Sequence, residues 1–274
     1  MTTFADWIGR SRTVTDRLDA ARCNALAVAL GGEGTLQDGD PLPPLDHWLH
    51  FWDVQPPSAI GPDGHPEKGG FLPPIELPRR MWAGGRVRFL GPLALGEHVS
   101  RTTTIAAIEE KAGKSGTLVF VTLVHELSGS DGVAIREEQD LVYRAAAGGT
   151  VAAPEPIAAP ECRWHETVMP DPVLLFRYSA LTMNGHRIHY DLPYATGVEG
   201  YPGLVVHGPL QAAMLARAAA VRLGRPIAQF DFRGSSPAFA DIPLHVCGDP
   251  DGDGGAFWTQ QGPARAMVAQ VATA

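Results

Sequence analysis

Five polar or titratable side chains crowd into eight consecutive positions of this 274-residue chain: Asn184, His186, Arg187, His189 and Asp191. Apolar residues flank them, Val173 to Phe176 before and Leu192-Pro193 after. Histidine titrates near neutral pH and suits proton transfer. A polar cluster between apolar flanks fits a site supported by a core. It also fits a surface turn with two solvated histidines, and spacing alone weighs the two readings evenly.

The elements that must hold such a cluster are partly legible. Pro209 to Leu223 is the strongest helix signal. Leu210, Met214, Leu215, Ala218 and Val221 share a stripe, and alanines fill most other positions. Small residues on several sides suit a helix enclosed by a sheet. Gly224 ends it, with Pro226 beyond. Thr13 to Leu30 reads as another helix, with Leu18, Ala21, Ala25, Val28 and Ala29 at helical spacing and Thr13 or Thr15 as cap. Gly39 to Pro74 is a Pro- and Gly-rich excursion anchored by Trp48, Phe51 and Trp52, and excursions of this length often serve as lids or binding loops.

An antiparallel meander follows. Arg86 to Phe89 alternates, and His98–Lys111, Thr117–Ser128 and Val133–Arg144 read as strands joined by glycine turns. The run Thr117 to Val124 is continuous enough to predict burial on both faces. Residues 147–162 are rich in Ala, Gly and Pro and form the natural linker between a first half, 1–146, and a second, 163–274. The halves echo one another. Gly200 to Val205 resembles Gly70 to Ile75, and Phe230 to Arg233 resembles Arg86 to Phe89, which suggests duplication. Further strands are expected at Leu244–Cys247, Ala256–Thr259 and Ala264–Val271.

Composition narrows the function. Hydrophobic residues make up 45% of the chain and charged residues 19%, which is globular. A net charge of −8 argues against a nucleic-acid partner. No apolar run reaches the roughly 20 residues of a membrane helix, and Met1 to Arg17 lacks the apolar centre of a secretory signal. Cys23, Cys162 and Cys247 stand far apart in no metal-ligand spacing, so neither a disulfide framework nor a metal is expected, and a cytoplasmic location fits. No glycine-rich nucleotide loop and no Gly-x-Ser-x-Gly elbow is present.

The segment Tyr178-Ser-Ala-Leu-Thr-Met-Asn-Gly-His-Arg-Ile-His-Tyr-Asp191, followed by Gly203-Leu-Val-Val-His-Gly208, resembles the MaoC-like (R)-specific enoyl-CoA hydratases. Residues 176–215 carry the resemblance. It implies an α+β double hot-dog, two curved antiparallel sheets each wrapping a central helix. The C-terminal half would carry the chemistry, and the N-terminal half would be a non-catalytic dehydratase-like copy. The usual motif has an Asp and an Asn-Pro pair where this chain has Asn184 and His186-Arg187. That version resembles a sub-branch containing mitochondrial 3-hydroxyacyl-thioester dehydratases and mesaconyl-C4-CoA and itaconyl-CoA hydratases.

The resemblance implies hydration of an α,β-unsaturated acyl-CoA, here a branched C5 dicarboxylyl-CoA going to citramalyl-CoA. His189 is then the base, Asn184 holds water through its amide oxygen, and the Gly208 N–H stabilises the thioester oxyanion. His186, His207, Tyr178 and Asp191 are supporting candidates. Arg187 and Arg177 are the first candidates to meet phosphate or a substrate carboxylate, with Arg79, Arg80 and Arg233 behind them. No cofactor is expected beyond the coenzyme A of the substrate, and a homodimer or higher homo-oligomer is the expected assembly. The rivals are a fatty-acid-synthesis dehydratase, a hot-dog thioesterase and a non-catalytic acyl-CoA-binding protein.

Overall fold

A computed structural model describes residues 4–113, 116–145, 151–155, 157 and 160–274. Among the described residues ten strands lie in one antiparallel sheet. They are β1 (Ser11–Arg17), β2 (Arg79–Phe89), β3 (His98–Gly113), β4 (Gly116–Gly129), β5 (Gly132–Arg144), β6 (Trp164–Val168), β7 (Ile227–Gly234), β8 (Leu244–Asp251), β9 (Gly254–Gln260) and β10 (Arg265–Thr273). The order is β1-β3-β4-β5-β2-β7-β10-β9-β8-β6. Outward from the central β2·β7 pair, each half repeats one order, so β1, β3, β4, β5 and β2 correspond to β6, β8, β9, β10 and β7. The expected double hot-dog is present. Its two sheets join edge to edge through Gly84–Arg88 of β2 and Gln229–Arg233 of β7.

The helices are α1 (Ala20–Ala29), α2 (Pro172–Thr182), α3 (Leu192–Gly197) and α4 (Gly208–Leu223). Helix α4 packs on β7, β8, β9 and β10, and Leu210, Ala212, Leu215, Ala216 and Ala219 are fully buried. Its alanines admit the sheet closely, as the sequence predicts. It ends at Gly224 in the left-handed conformation, φ 63°. Among the described residues the N-terminal half has no counterpart of this length. The ten-residue α1, packed on α2, and the irregular stretch after it take that place.

Three expectations change. The helix predicted from Thr13 begins only after Asp19, whose side chain accepts the Ala21 N–H. Ser11–Arg17 is strand β1, paired with Thr104–His98. Thr13-Val14-Thr15 is β-branched and loses side-chain freedom in a helix, so it prefers the sheet edge. Strand β4 is buried on one face only, with Val119, Val121, Leu123, His125 and Leu127 turned inward and their neighbours part-exposed. Strand β6 and helix α2, capped by Asp171 with Pro172 in its first turn, add to the elements expected. The predicted turn at 114–115 and part of the linker, 147–150, 156, 158 and 159, lie outside the described residues.

The excursion before β2 folds over the inner sheet face. It is tied down at the 3-10 turn Asp46–Leu49. Glu137 on β5, 3% exposed, accepts from Trp48 Nε1 and pairs with His47, both at 2.9 Å. Asp46 pairs with Arg217 on α4, which links the excursion to the other half. Trp52 donates to the Leu181 carbonyl at the end of α2. Trp48, Trp82 and Phe232 form an aromatic cluster at the seam, with Trp82 stacked on Phe232 at 4.5 Å. None of the described helices is long and apolar enough to cross a membrane.

Candidate active site

The polar segment runs from the end of α2 to the start of α3. Met183, in the left-handed conformation, turns the chain out of α2. The Asn184 amide oxygen then accepts the His186 N–H at 3.0 Å and closes a tight turn. Residues Arg187–His189 form a 3-10 turn, and Asp191 caps α3 through Tyr194 N–H. The Asn184 oxygen expected to hold water thus spends one lone pair on the turn, and its second lone pair and its amide NH2 are left to meet a ligand.

His189 lies inward, 7% exposed. Its Nδ1–H donates to the Val205 carbonyl at 2.7 Å. A carbonyl only accepts, so Nδ1 carries the proton and Nε2 presents a lone pair. Burial pushes the His189 pKa down to about 4, partly opposed by the Val205 bond. The ring is therefore neutral at physiological pH, with the Nε2 lone pair available. It stacks on His207 at 3.6 Å. His207, fully buried, shares a 2.8 Å hydrogen bond with Ser179 Oγ and lies 4.9 Å from the Tyr178 ring. Tyr178 and His207 thus form the wall behind the base.

His207 immediately precedes α4, so Gly208 opens the helix beside His189. Helix N-terminal N–H groups have no intrahelical partner, and Pro209 contributes none. Gly208 is the donor available there for an oxyanion. A Cβ on Gly208 would stand 2.8 Å from the Trp82 ring, so glycine lets the N-terminal half close over this end of the helix.

Sequence reasoning gave the excursion a lid or binding role but named none of the residues that reach the site. The turn 61–65 lies directly on the polar segment. The Asp63 carbonyl accepts the Arg187 N–H at 2.9 Å, and the Pro62 carbonyl accepts from the Arg187 guanidinium. His65 packs on His186 at 4.1 Å, and His186 stands edge-on to His189 at 5.4 Å. Asp63 Oδ2 accepts from His65 Nδ1 at 3.0 Å, so His65 Nε2 is the nitrogen free to accept. Burial lowers the pKa of His65, and lowers that of His186 to about 2 with the help of neighbouring His65 and His189. The only local hint was a histidine in Gly61-Pro-Asp-Gly-His-Pro66.

The arginines divide. Arg187 is committed to Asp191, with bonds of 2.9 and 2.7 Å, and its guanidinium lies over Tyr194. Arg79 is held by the Glu199 carboxylate and carbonyl. Neither is free for phosphate or a substrate carboxylate, because its own acid already occupies it. Arg177 and Arg233 are exposed, on α2 and β7. Arg80 is half-buried on β2 and adds positive charge beside His65 and His186. Asp63, His65 and His186 offer ligand atoms within 4.8 Å of one another, a metal-compatible trio the sequence did not suggest. The positive charge of Arg80 works against a dication there.

Residues 45–240 match the family model for hydroxyacyl-thioester dehydratase type 2. The chain is 47% identical over 252 residues to the mesaconyl-C(4)-CoA hydratase of Chloroflexus aurantiacus, covering 90% of this chain and 89% of that one. It is 30% identical to the mitochondrial hydroxyacyl-thioester dehydratase type 2 of Schizosaccharomyces pombe, over 75% of this chain and 77% of the other. A Mycobacterium tuberculosis protein with a double hotdog fold superposes with a TM-score of 0.59 at 14% identity, over 97% of this chain and 96% of that one, a likeness of fold alone. The chain belongs to the hydroxyacyl-thioester dehydratase type 2 family and is a hydro-lyase of acyl thioesters.

Proposed function

We propose that this enzyme adds water to a branched C5 dicarboxylyl-CoA, mesaconyl-C4-CoA first and itaconyl-CoA second, to give citramalyl-CoA. The 47% identity to a mesaconyl-C(4)-CoA hydratase across nine-tenths of the chain carries this reading. The site supports it with a neutral base, His189, beside a free helix N-terminus.

In this scheme His189 Nε2 takes a proton from water as the hydroxyl oxygen bonds to Cβ. The π electrons move onto the thioester oxygen, where the Gly208 N–H receives the charge. The enolate then collapses as His189 returns the proton to Cα. One base serving both ends makes the addition syn, and no carboxylic acid is needed at position 184. General-base catalysis of this kind contributes about 10²–10⁴-fold. Water addition calls for no redox cofactor. We place the enzyme in the cytoplasm and expect a homo-oligomer.

The second reading is the reverse reaction, dehydration of a 3-hydroxyacyl thioester in fatty-acid synthesis, and the yeast relative favours it. Absorbance at the enoyl-thioester band separates the two. Wild type and His189→Gln are compared on mesaconyl-C4-CoA, itaconyl-CoA and crotonyl-CoA. Turnover of the dicarboxylyl substrates, reduced at least a hundredfold in the variant, is the expected result. Turnover of crotonyl-CoA alone sinks the dicarboxylyl reading in favour of the second. Silence on all three substrates, with thiol release, would point to a thioesterase.

A further inference from the structure

Beside the histidines stand two cations, Arg80 and Lys68, that no carboxylate among the described residues pairs directly, Asp63 being the nearest acid. Arg80 on β2 stands directly opposite Tyr143 on β5, so both side chains project from the same face of the sheet. The excursion crosses this face. From it Lys68 comes within 5.8 Å of the Tyr143 ring centroid, its ammonium donating to the Leu77 carbonyl at 2.6 Å. Arg79 and Arg187 each find an acid. Arg80 and Lys68 form no ion pair among the described residues.

Tyr143, beside Arg80, adds a second sign. It is fully buried, and its hydroxyl, with Arg80 beside it, completes no hydrogen bond of good geometry. An orphaned buried hydroxyl is costly and calls for a ligand or water to satisfy it. Two cations and an O–H grouped on one face of the sheet have the makings of a carboxylate receptor. The guanidinium offers a two-pronged fork, the phenol a further donor and the ammonium neutralising charge.

The place is right for a substrate. Arg80 lies near enough to His65 and His186 to oppose their protonation, and the His186 ring is 5.4 Å from His189. Asp63, the carboxylate nearby, is tied to His65. We propose that Arg80, Tyr143 and Lys68 form the subsite for the free carboxylate of a dicarboxylyl thioester. This rests on the hydratase reading above and deepens it. The thioester oxygen sits at Gly208 and the double bond over His189, with the carboxylate, bonded directly to Cβ, turned toward His186 and Arg80. The C-terminal half performs the chemistry and the N-terminal half selects the acyl group.

The test is a ratio. Wild type, Arg80→Gln and Tyr143→Phe are assayed on mesaconyl-C4-CoA and on crotonyl-CoA, which lacks the second carboxylate. Hydrogen bonds to a charged group are strong enough that the preference, kcat/KM on the first over kcat/KM on the second, should fall about 10- to 100-fold in Arg80→Gln. Tyr143→Phe should lower it by a smaller factor, and Arg80→Lys should recover part of the loss. If Arg80→Gln does not fold, Tyr143→Phe decides the matter by the same ratio. A wild type active on mesaconyl-C4-CoA whose preference both variants leave unchanged overturns the subsite alone. A wild type that hydrates crotonyl-CoA but not mesaconyl-C4-CoA overturns the functional reading and the subsite with it.

Discussion

Four imidazoles stand in a row, His65, His186, His189 and His207, and only His65 has a carboxylate partner. Burial holds all four below the ordinary histidine range, to about 2 for His186 and about 4 for His189. The unfolded chain binds protons near pH 6.5 that the folded protein refuses. Their contribution to stability is therefore complete above about pH 6.5 and is lost as pH falls toward 4. Each fully buried ring accounts for about 1.4 kcal/mol per pH unit within that window. Urea midpoints should hold from pH 7.5 to about 6.5 and fall steadily from there to pH 5, and a flat series would mean that the rings are charged in the fold. Initial rates follow a different course. The acid limb of kcat/KM should break near pH 4 to 5, because the base keeps its lone pair down to there, and a break near 6.5 would contradict a desolvated His189. The imidazoles of the polar segment were legible because polar residues between apolar flanks stand out locally. His65 and Tyr143 were not, since neither Gly-His-Pro nor a tyrosine in a strand has a local signature of chemistry.

The turn 61–65 meets the polar segment backbone to backbone. Gly64 adopts φ +89°, and a Cβ there would collide with the Gly185 carbonyl oxygen. Gly64→Ala combines that collision with left-handed strain of about 1–2 kcal/mol. We expect kcat/KM to fall at least tenfold with only a modest loss of thermal stability. Gly70→Ala is the control, since its Cβ meets nothing within 4 Å. Equal behaviour of the two variants would show that the turn does not position the site. The contact joins residues 125 positions apart, Pro62 and Arg187, and nothing periodic in either stretch announces it. The meander and α4 were legible for the opposite reason, because strong alternation or helical repeat runs the length of each element. Strand β1 was lost when helical spacing that truly begins at Ala20 was extended back over a β-branched run. Strand β6 is five residues long with no inward alternation to mark it.

The whole molecule turns on the β2·β7 pairing. A Cβ on Gly85 would lie 2.7 Å from both the Glu138 carbonyl oxygen and the Phe232 ring. Gly85→Val should destabilise by about 1–3 kcal/mol through overpacking. It should also lower kcat, because Phe232 stacks on Trp82 and Trp82 closes over Gly208. Calorimetry with parallel kinetics checks both, and full kcat in a destabilised variant would show that seam and site are independent. The repeated strand order was foreshadowed by the echo of Phe230–Arg233 with Arg86–Phe89. The loss of a long helix from one half was not, because a Pro- and Gly-rich stretch does not reveal what it has replaced.

That shared strand order has a historical consequence. In a pair of identical subunits every mutation is made twice, so a helix lost from one is lost from both, and a turn laid over one site is laid over both. Joining the two copies in a single chain removes the constraint. One copy can keep its helix and base while the other gives up its own and becomes a tailored cover. The asymmetry should be countable. A chain built in this way binds one equivalent of thioester, where a symmetric pair of the same size would bind two.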